Sequence, residues 1–432
     1  MLRDLRIMGL LLGVVFCQQV YAGGLEGAGL GTRQLSMGGA FIGLADDWTA
    51  IYWNPAGLAR LKERGGGLSL DYVTSRVSDG NSVANPPIDQ INKTQGDLFF
   101  QHPLIGPEPT FCDKKEIELA VYLPAVGGYT EFRGWSLGGG MYTPAGYSAK
   151  WEDTKQGIDA SFEMKAFEVV YNLSGAKKIK ENLFLGLGLN ILQGSSKMET
   201  KKVVPGSYTY TSKADGDGLG IEEVIGVLYQ PRPNLSAGLV YRTGSNLDLD
   251  GSAKISYPFP IGPPPNWAMF VEESDYEQVF KVPTTYGLGI AYNPFPKLIL
   301  TSDLTRTDWT TFRKEIDFTK PDQNLLKDKD ESLDWKAVSK VRLGAEYKYS
   351  DSLAFRAGLF TDPSPVPDKA VSMTNLGGVD VNRNLYTIGL GKNLKDWQID
   401  LGFLHTKADR EAQGVKYEKE ANSFHIALSS LF

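Results

Sequence analysis

"NSFHIALSSLF", residues 422 to 432, closes the chain. Phe424, Ile426, Leu428 and Phe432 fall on one side of a period-two strand, and Ser423, His425, Ala427 and Ser429 fall on the other. One face is apolar and the other is small or polar. A strand of a soluble sandwich alternates in the same way, so the stretch decides the fold only together with its last residue and its repetition along the chain.

The final aromatic resembles the signal by which bacterial outer-membrane barrels are recognised for assembly. The repetition agrees with it. "LFLGLGLNIL" (183–192), "TYGLGIAYN" (285–293), "VRLGAEYKY" (341–349) and "QIDLGFLHT" (398–406) are segments of about 9–11 residues, the length a tilted membrane strand needs, with aromatics near their ends. Short connections are expected at 123–128, 172–182, 230–234, 293–297, 349–352 and 392–397. Long ones are expected at 75–115, 144–160, 194–217, 246–278, 307–338, 361–382 and 406–421. Short turns at one end and long loops at the other join about fourteen strands, the asymmetry of an outer-membrane barrel. Closure is required in lipid, where an open sheet edge leaves unpaired N–H and C=O groups.

The N-terminus agrees with that compartment. Arg3 and Arg6 precede the apolar run "IMGLLLGVVFC", and "VYA" places small residues at Val20 and Ala22, the pattern of a cleavable secretory signal over residues 1–22. Cleavage after Ala22 would leave Gly23 first. Cys112 is then the only cysteine of the mature chain, so neither an internal disulfide nor a thiol metal cluster is expected. The 48 glycines, 20 tyrosines, 20 phenylalanines and 8 tryptophans, with a net charge of −6, suit a barrel and not a basic nucleic-acid binder. His102, His405 and His425 are scattered without a nucleophile motif, so no catalytic residues, metal or cofactor are expected.

With the apolar face on lipid, Glu168, Arg242, Asp303, Arg342, Glu346, Arg356 and Asp400 point into the lumen. Mixed charges there form a structural network or hold a ligand carboxylate. For the second role Arg242, Arg342 and Arg356 are the candidates, since guanidinium forks match carboxylates. Residues 23–64 precede the first strand (66–74) and carry Leu30, Leu35, Met37, Phe41, Ile42, Trp48, Ile51, Trp53 and Leu58 among glycines. Such a segment buries its apolar surface best as a plug inside the barrel, which would occupy 65–432.

"GLGTRQLSMGGAFIGLADDWTAIYWNPAGLARL" (29–61) resembles the N-terminal hatch of the FadL family of long-chain fatty acid and hydrocarbon transporters. "YTPAGYSAKWED" (142–153), "VPTTYGLGIAYNPFPKLILTSDLTRTDWTTF" (282–312) and "FRAGLFTDPSPVPDKAV" (355–371) extend the resemblance over nearly the whole mature chain. It implies a monomeric fourteen-stranded barrel in the outer membrane, facing lipid and lipopolysaccharide, that takes up hydrophobic molecules passively. Ligand would enter by an extracellular groove, reach a pocket near the hatch and leave sideways at a kinked strand. The Asn54-Pro55-Ala56 turn, with Gly57, would lie against that kink. The chain departs from the pattern at "YPFPIGPPPNWAMF" (257–270), too rich in proline for the helices relatives place there. Phe259, Ile261, Trp267, Met269 and Phe270 in this run are the candidates for first contact with ligand. Competing readings are an aromatic hydrocarbon transporter, a secretion-associated barrel that binds proteins, and a passive porin or outer-membrane enzyme.

Overall fold

The structure, a computed structural model, describes residues 27–61, 64–79, 116–155, 158–204, 208–260, 267–321, 323–371 and 380–431. One antiparallel sheet dominates it. Its segments are β1 (Gly65–Asp79), β2 (Glu116–Phe132), β3 (Trp135–Lys155), β4 (Ile158–Lys180), β5 (Leu183–Val204) and β6 (Tyr208–Arg232). There follow β7 (Leu235–Arg242), β8 (Ser245–Pro260), β9 (Trp267–Val282), β10 (Thr284–Phe295), β11 (Leu298–Asp308) and β12 (Arg313–Phe318). The last six are β13 (Lys329–Ser332), β14 (Val338–Ser350), β15 (Leu353–Asp362), β16 (Arg383–Leu394), β17 (Trp397–Ala412) and β18 (Val415–Leu431).

Four interrupted pairs, β7 with β8, β9 with β10, β11 with β12 and β13 with β14, each run as one strand. The eighteen segments therefore make a fourteen-stranded barrel, closed where β1 pairs with β18 from Gly65↔Leu431 to Asp79↔Tyr417. The closed ladder leaves no sheet edge facing lipid at this seam, which is what a hydrocarbon environment demands.

The lipid face follows the alternation read from the sequence. Leu185, Leu187, Leu189 and Ile191 of β5 are exposed, as are Phe424 and Ile426 of β18, while Ser423, His425 and Ala427 are buried. Phe132, Trp135, Phe295, Tyr349 and Trp397 ring the barrel beside the short turns, where an aromatic girdle sits. Phe432 lies outside the described residues.

Two expectations are corrected. Residues 123–128 are no turn: they lie within β2, and the chain reverses after Phe132. Strands are also longer than 9–11 residues. β3 to β6 run 21 to 25 residues, so 144–160 and 194–217 are largely extensions of hairpins, as are 246–278 and 406–421. Beyond the membrane the strands keep pairing, because backbone hydrogen bonds need no apolar face.

Residues 27–61 occupy the interior. They form short helices at Thr32–Ser36 and Ala50–Trp53 and a 3-10 segment at Pro55–Arg60. Leu35, Met37, Phe41, Ile51 and Leu58 are buried to 3% or less, enough to make this segment the core of the lower barrel. Inward glycines let backbone meet backbone. A Cβ on Gly358 would strike Gly38, and one on Gly127 would lie 2.7 Å from Trp48. Above, Trp309, Phe312 and Trp335 pack edge-on and tilted with ring centroids 4.5–5.4 Å apart in a second apolar cluster joined by Val366, Val371 and Val381.

Candidate functional site

Between these two apolar clusters lies a cavity of about 250 Å³. Tyr52 and Trp53 form its floor, and its walls come from β3 to β14, including Tyr142, Val170, Leu192, Met198, Val240, Leu247, Leu249, Phe280 and Val282. Trp309, a member of the upper cluster, also lines it. Most of the lining is apolar. It exceeds the roughly 150 Å³ of an engineered apolar cavity that takes benzene, so it has room for a hydrophobe larger than one ring.

The three sequence-predicted arginines meet three different surroundings. Arg242 lines the cavity, pairs with Glu222 at 3.1 Å, donates to the Tyr52 carbonyl and lies over the Tyr52 ring. Arg342 also lines it, donating to the carbonyls of Ala28 (2.9 Å) and Gly38 (3.3 Å) and lying over the rings of Trp53 and Phe360. Among the described residues it has no carboxylate within ion-pair distance. Arg356 is not among the lining residues. It is buried between Glu346 (2.7 Å) and Asp400 (2.6 Å), and Glu346 reaches on to Arg33 of the interior segment at 2.8 Å. Lys340, two residues before Arg342 and so on the same face of β14, lines the cavity and pairs with Asp362 at 3.0 Å, which Arg383 shares at the same distance. The period of two would have added Lys340 to the sequence candidates.

Asp303, like Glu346, docks the interior segment. Asp303 accepts from the backbone N–H of Phe41 (2.6 Å) and Ile42 (2.8 Å). Asn54 bridges segment and wall: its amide donates to the carbonyls of Ile42 (3.0 Å) and Val227 (3.1 Å), and its Oδ1 accepts from Ala56 N–H at 3.2 Å. That last bond closes the turn at Pro55, whose missing N–H leaves nothing unsatisfied at a helix start. The turn sits on β5 and β6, where a Cβ on Gly186 or Gly226 would strike Pro55, Ala56 or Asn54.

The wall is interrupted elsewhere. β2 and β3 pair only from Ala125↔Tyr142 to Phe132↔Trp135. Among the described residues, β3 beyond Tyr142 is bonded to β4 and not to β2, and residues 116–124 of β2 are bonded to β1 and not to β3. The β3–β4 register shifts between Tyr142 and Ala145, at Pro144, a residue with no N–H to give a ladder. Pro144 and Phe167 both line the cavity beside this interruption. Of the first-contact candidates, Met269 and Phe270 are exposed on the extracellular hairpin of β8 and β9, and Phe270 stacks on Tyr257. Phe259 and Trp267 lie in the paired strands, and Ile261 falls outside the described residues.

A closed, plugged, lipid-faced barrel with an apolar chamber defines the class: an outer-membrane transport barrel. The sequence profile described as outer membrane protein transport protein (OMPP1/FadL/TodX) matches residues 13–426, and the chain belongs to that family. It is 24% identical over 319 residues to the long-chain fatty acid transport protein of Salmonella typhi, covering 67% of this chain and 71% of that one. It is 23% identical over 438 residues to the 47 kDa outer membrane protein of Pasteurella multocida, covering 94% of each. A Pseudomonas aeruginosa FadL homologue shares the fold at a TM-score of 0.73 and 15% identity over 95% of this chain and all of the other. The Pseudomonas putida toluene transporter TodX shares it at 0.67 and 14% over 94% and 99%. The protein is thus an outer-membrane transport protein and not an enzyme.

Proposed function

We propose that the protein takes up long-chain fatty acids or similarly hydrophobic molecules, aromatic hydrocarbons included, by passive diffusion through the lumen cavity. The observation that carries this reading is the apolar chamber between the interior segment and the tryptophan cluster. Burying apolar surface contributes about 25 cal/mol per Å², so a chain or ring gains by leaving water for this space. The chain is divided into a signal peptide (1–22), a hatch (23–64) and a barrel (65–432), and it acts as a monomer among outer-membrane lipid and lipopolysaccharide. Ligand lands on the extracellular run that holds Phe259, Ile261, Trp267, Met269 and Phe270, then passes to the cavity. It departs sideways where β2 and β3 part, because a greasy molecule loses less by entering lipid than by crossing aqueous periplasm. Asn54, Pro55, Ala56 and Gly57 brace the wall that frames this exit from the β5–β6 side. A carboxylate head group rests against Arg342, a lining cation with no carboxylate within ion-pair distance among the described residues.

Organic extracts of the purified protein, analysed by mass spectrometry, together with uptake of labelled palmitate and toluene by cells, test the reading. Retained hydrophobic ligand and saturable uptake of either compound are expected. Extracts free of such molecules, with uptake no different from cells lacking the protein, would overturn it.

A further inference from the structure

The wall of the cavity beside the β2–β3 interruption holds a connected polar patch. Ser174 donates to Asn172 at 2.8 Å, Asn172 to Asn190 at 2.6 Å, and Asn190 to Glu222 at 2.6 Å, which Arg242 closes as an ion pair. Every member of this chain has its partner. Glu168 does not. It lines the same end of the cavity from β4, opposite Ala145 at the β3 register shift, and keeps part of its surface open to the chamber. No described residue donates a hydrogen bond to its carboxylate. Arg242, which lines the same cavity, is already committed to Glu222 and to the Tyr52 carbonyl.

Glu168 is half-buried, so the hydrogen bonds its carboxyl does not get from the protein come from water or from a ligand in the chamber. An acceptor facing an apolar chamber is complementary to a ligand that brings a donor. Across the chamber Thr305, Thr307, Lys340 and Arg342 from β11 and β14 line a second polar end of opposite sign. The described lining residues carry Lys197, Arg242, Lys340 and Arg342 against only Glu168 and Glu222, so the chamber as a whole favours a neutral or anionic molecule over a cation.

We propose that Glu168 is a specificity-determining residue that accepts a hydrogen bond from a hydroxyl on the ligand, so that the cavity prefers hydroxylated hydrophobes, alcohols or phenols, to matched compounds without a donor. This rests on the transport reading above. A site that hydrogen-bonds a ligand hydroxyl discriminates strongly against the analogue lacking it, because its own polar group is then left unpaired.

The test is competition with labelled palmitate for the full-chain protein in lipid nanodiscs, using 1-dodecanol, its methyl ether and dodecylamine. The ether accepts but cannot donate. Partitioning into lipid cancels when each alcohol-to-ether ratio is compared between proteins. In wild type the alcohol should compete several-fold better than the ether, since only the alcohol offers the Glu168 carboxyl a donor. Glu168→Leu should bring the ratio near one, and Glu168→Gln, whose amide oxygen still accepts, should keep most of the preference. All three proteins should bind palmitate and show heat-modifiable mobility on gels. An equal ratio in wild type and Glu168→Leu would overturn the proposal, as would dodecylamine competing tenfold better than the alcohol. A wild type that binds no palmitate and none of the three competitors would instead overturn the transport reading, and this proposal with it.

Discussion

Arg342 and Arg356 lie on neighbouring strands and point the same way, yet one faces the cavity and the other faces only protein. The difference is set by what surrounds each guanidinium. Arg356 sits between two carboxylates and, through Glu346, is tied to Arg33 and Asp46. Replacing it by Leu leaves Glu346 with Arg33 alone and Asp400 without a cation, which costs about 3–5 kcal/mol of stability when a buried pair is broken. Chemical unfolding in liposomes should register that loss, with palmitate affinity relative to methyl palmitate unchanged. Arg342→Leu should do the reverse. Palmitate should weaken by about 1.5–3 kcal/mol more than its methyl ester, the worth of a hydrogen bond to a charged group. Equal losses for acid and ester would show that Arg342 serves only to hold Ala28 and Gly38.

At the scale of elements, the turn at Asn54-Pro55 is the joint between interior segment and wall. Asn54 reaches Ile42 on one side and Val227 on the other, so Asn54→Ala with Pro55→Ala should leave an assembled barrel that binds palmitate but delivers it more slowly. Wild-type uptake by a correctly assembled double variant would eliminate a role in shaping the exit. Extracellular elements hold a second joint. Glu272 on β9 accepts from the Tyr257 hydroxyl (2.7 Å) and from the backbone N–H of Asn324, Leu325 and Leu326 (2.9–3.1 Å), fastening the 319–328 connection onto the β8–β9 hairpin. Burial opposes its ionisation, but these donors outweigh burial and hold its carboxyl below the ordinary glutamate range. A depressed folded value means that the fastening is complete above the ordinary glutamate range and is lost as pH falls through it and below. Hydrogen exchange at 324–326 should therefore speed up on acidification in wild type and be fast and nearly pH-independent, after correction for intrinsic rates, in Glu272→Gln. Unchanged protection down to pH 3 would refute the linkage. The sequence disclosed the membrane portions of these strands because lipid enforces alternation there. It hid their extensions, such as Tyr208 to Asp217, because the buried face there is carried by the small residues Ser212, Ala214 and Gly216, which a hydrophobic pattern does not mark. Pro124 and Gly127 likewise mimic a turn. Among the described residues Pro124 pairs with β1 and not with β3, beside the β2–β3 interruption, and Gly127 is small because Trp48 lies against it.

For the whole molecule, the inward charges were legible, since a charge on a membrane strand has only the lumen to face. The cavity was not. Its lining is drawn from β3 to β14 and from Tyr52 and Trp53, residues far apart in sequence whose juxtaposition depends on how the interior segment lies in the barrel. That placement separates a ligand carrier from a porin. Residues 27–61 fill the lower lumen against the wall from β1 round to β18, and the cluster of Trp309, Phe312 and Trp335 reaches the chamber through Trp309. A water-filled path would have to cross both apolar layers, and apolar constrictions of this kind exclude ions by dewetting. The intact protein in planar bilayers should therefore conduct far less than an open barrel of fourteen strands. Deleting residues 27–61 should leave a barrel that still assembles, because its β1–β18 seam and lipid face do not involve the segment, but one that conducts strongly and admits hydrophilic antibiotics to cells. A wild type as conductive as the deletion would mean that the interior segment does not seal the lumen, and would return the passive porin to contention.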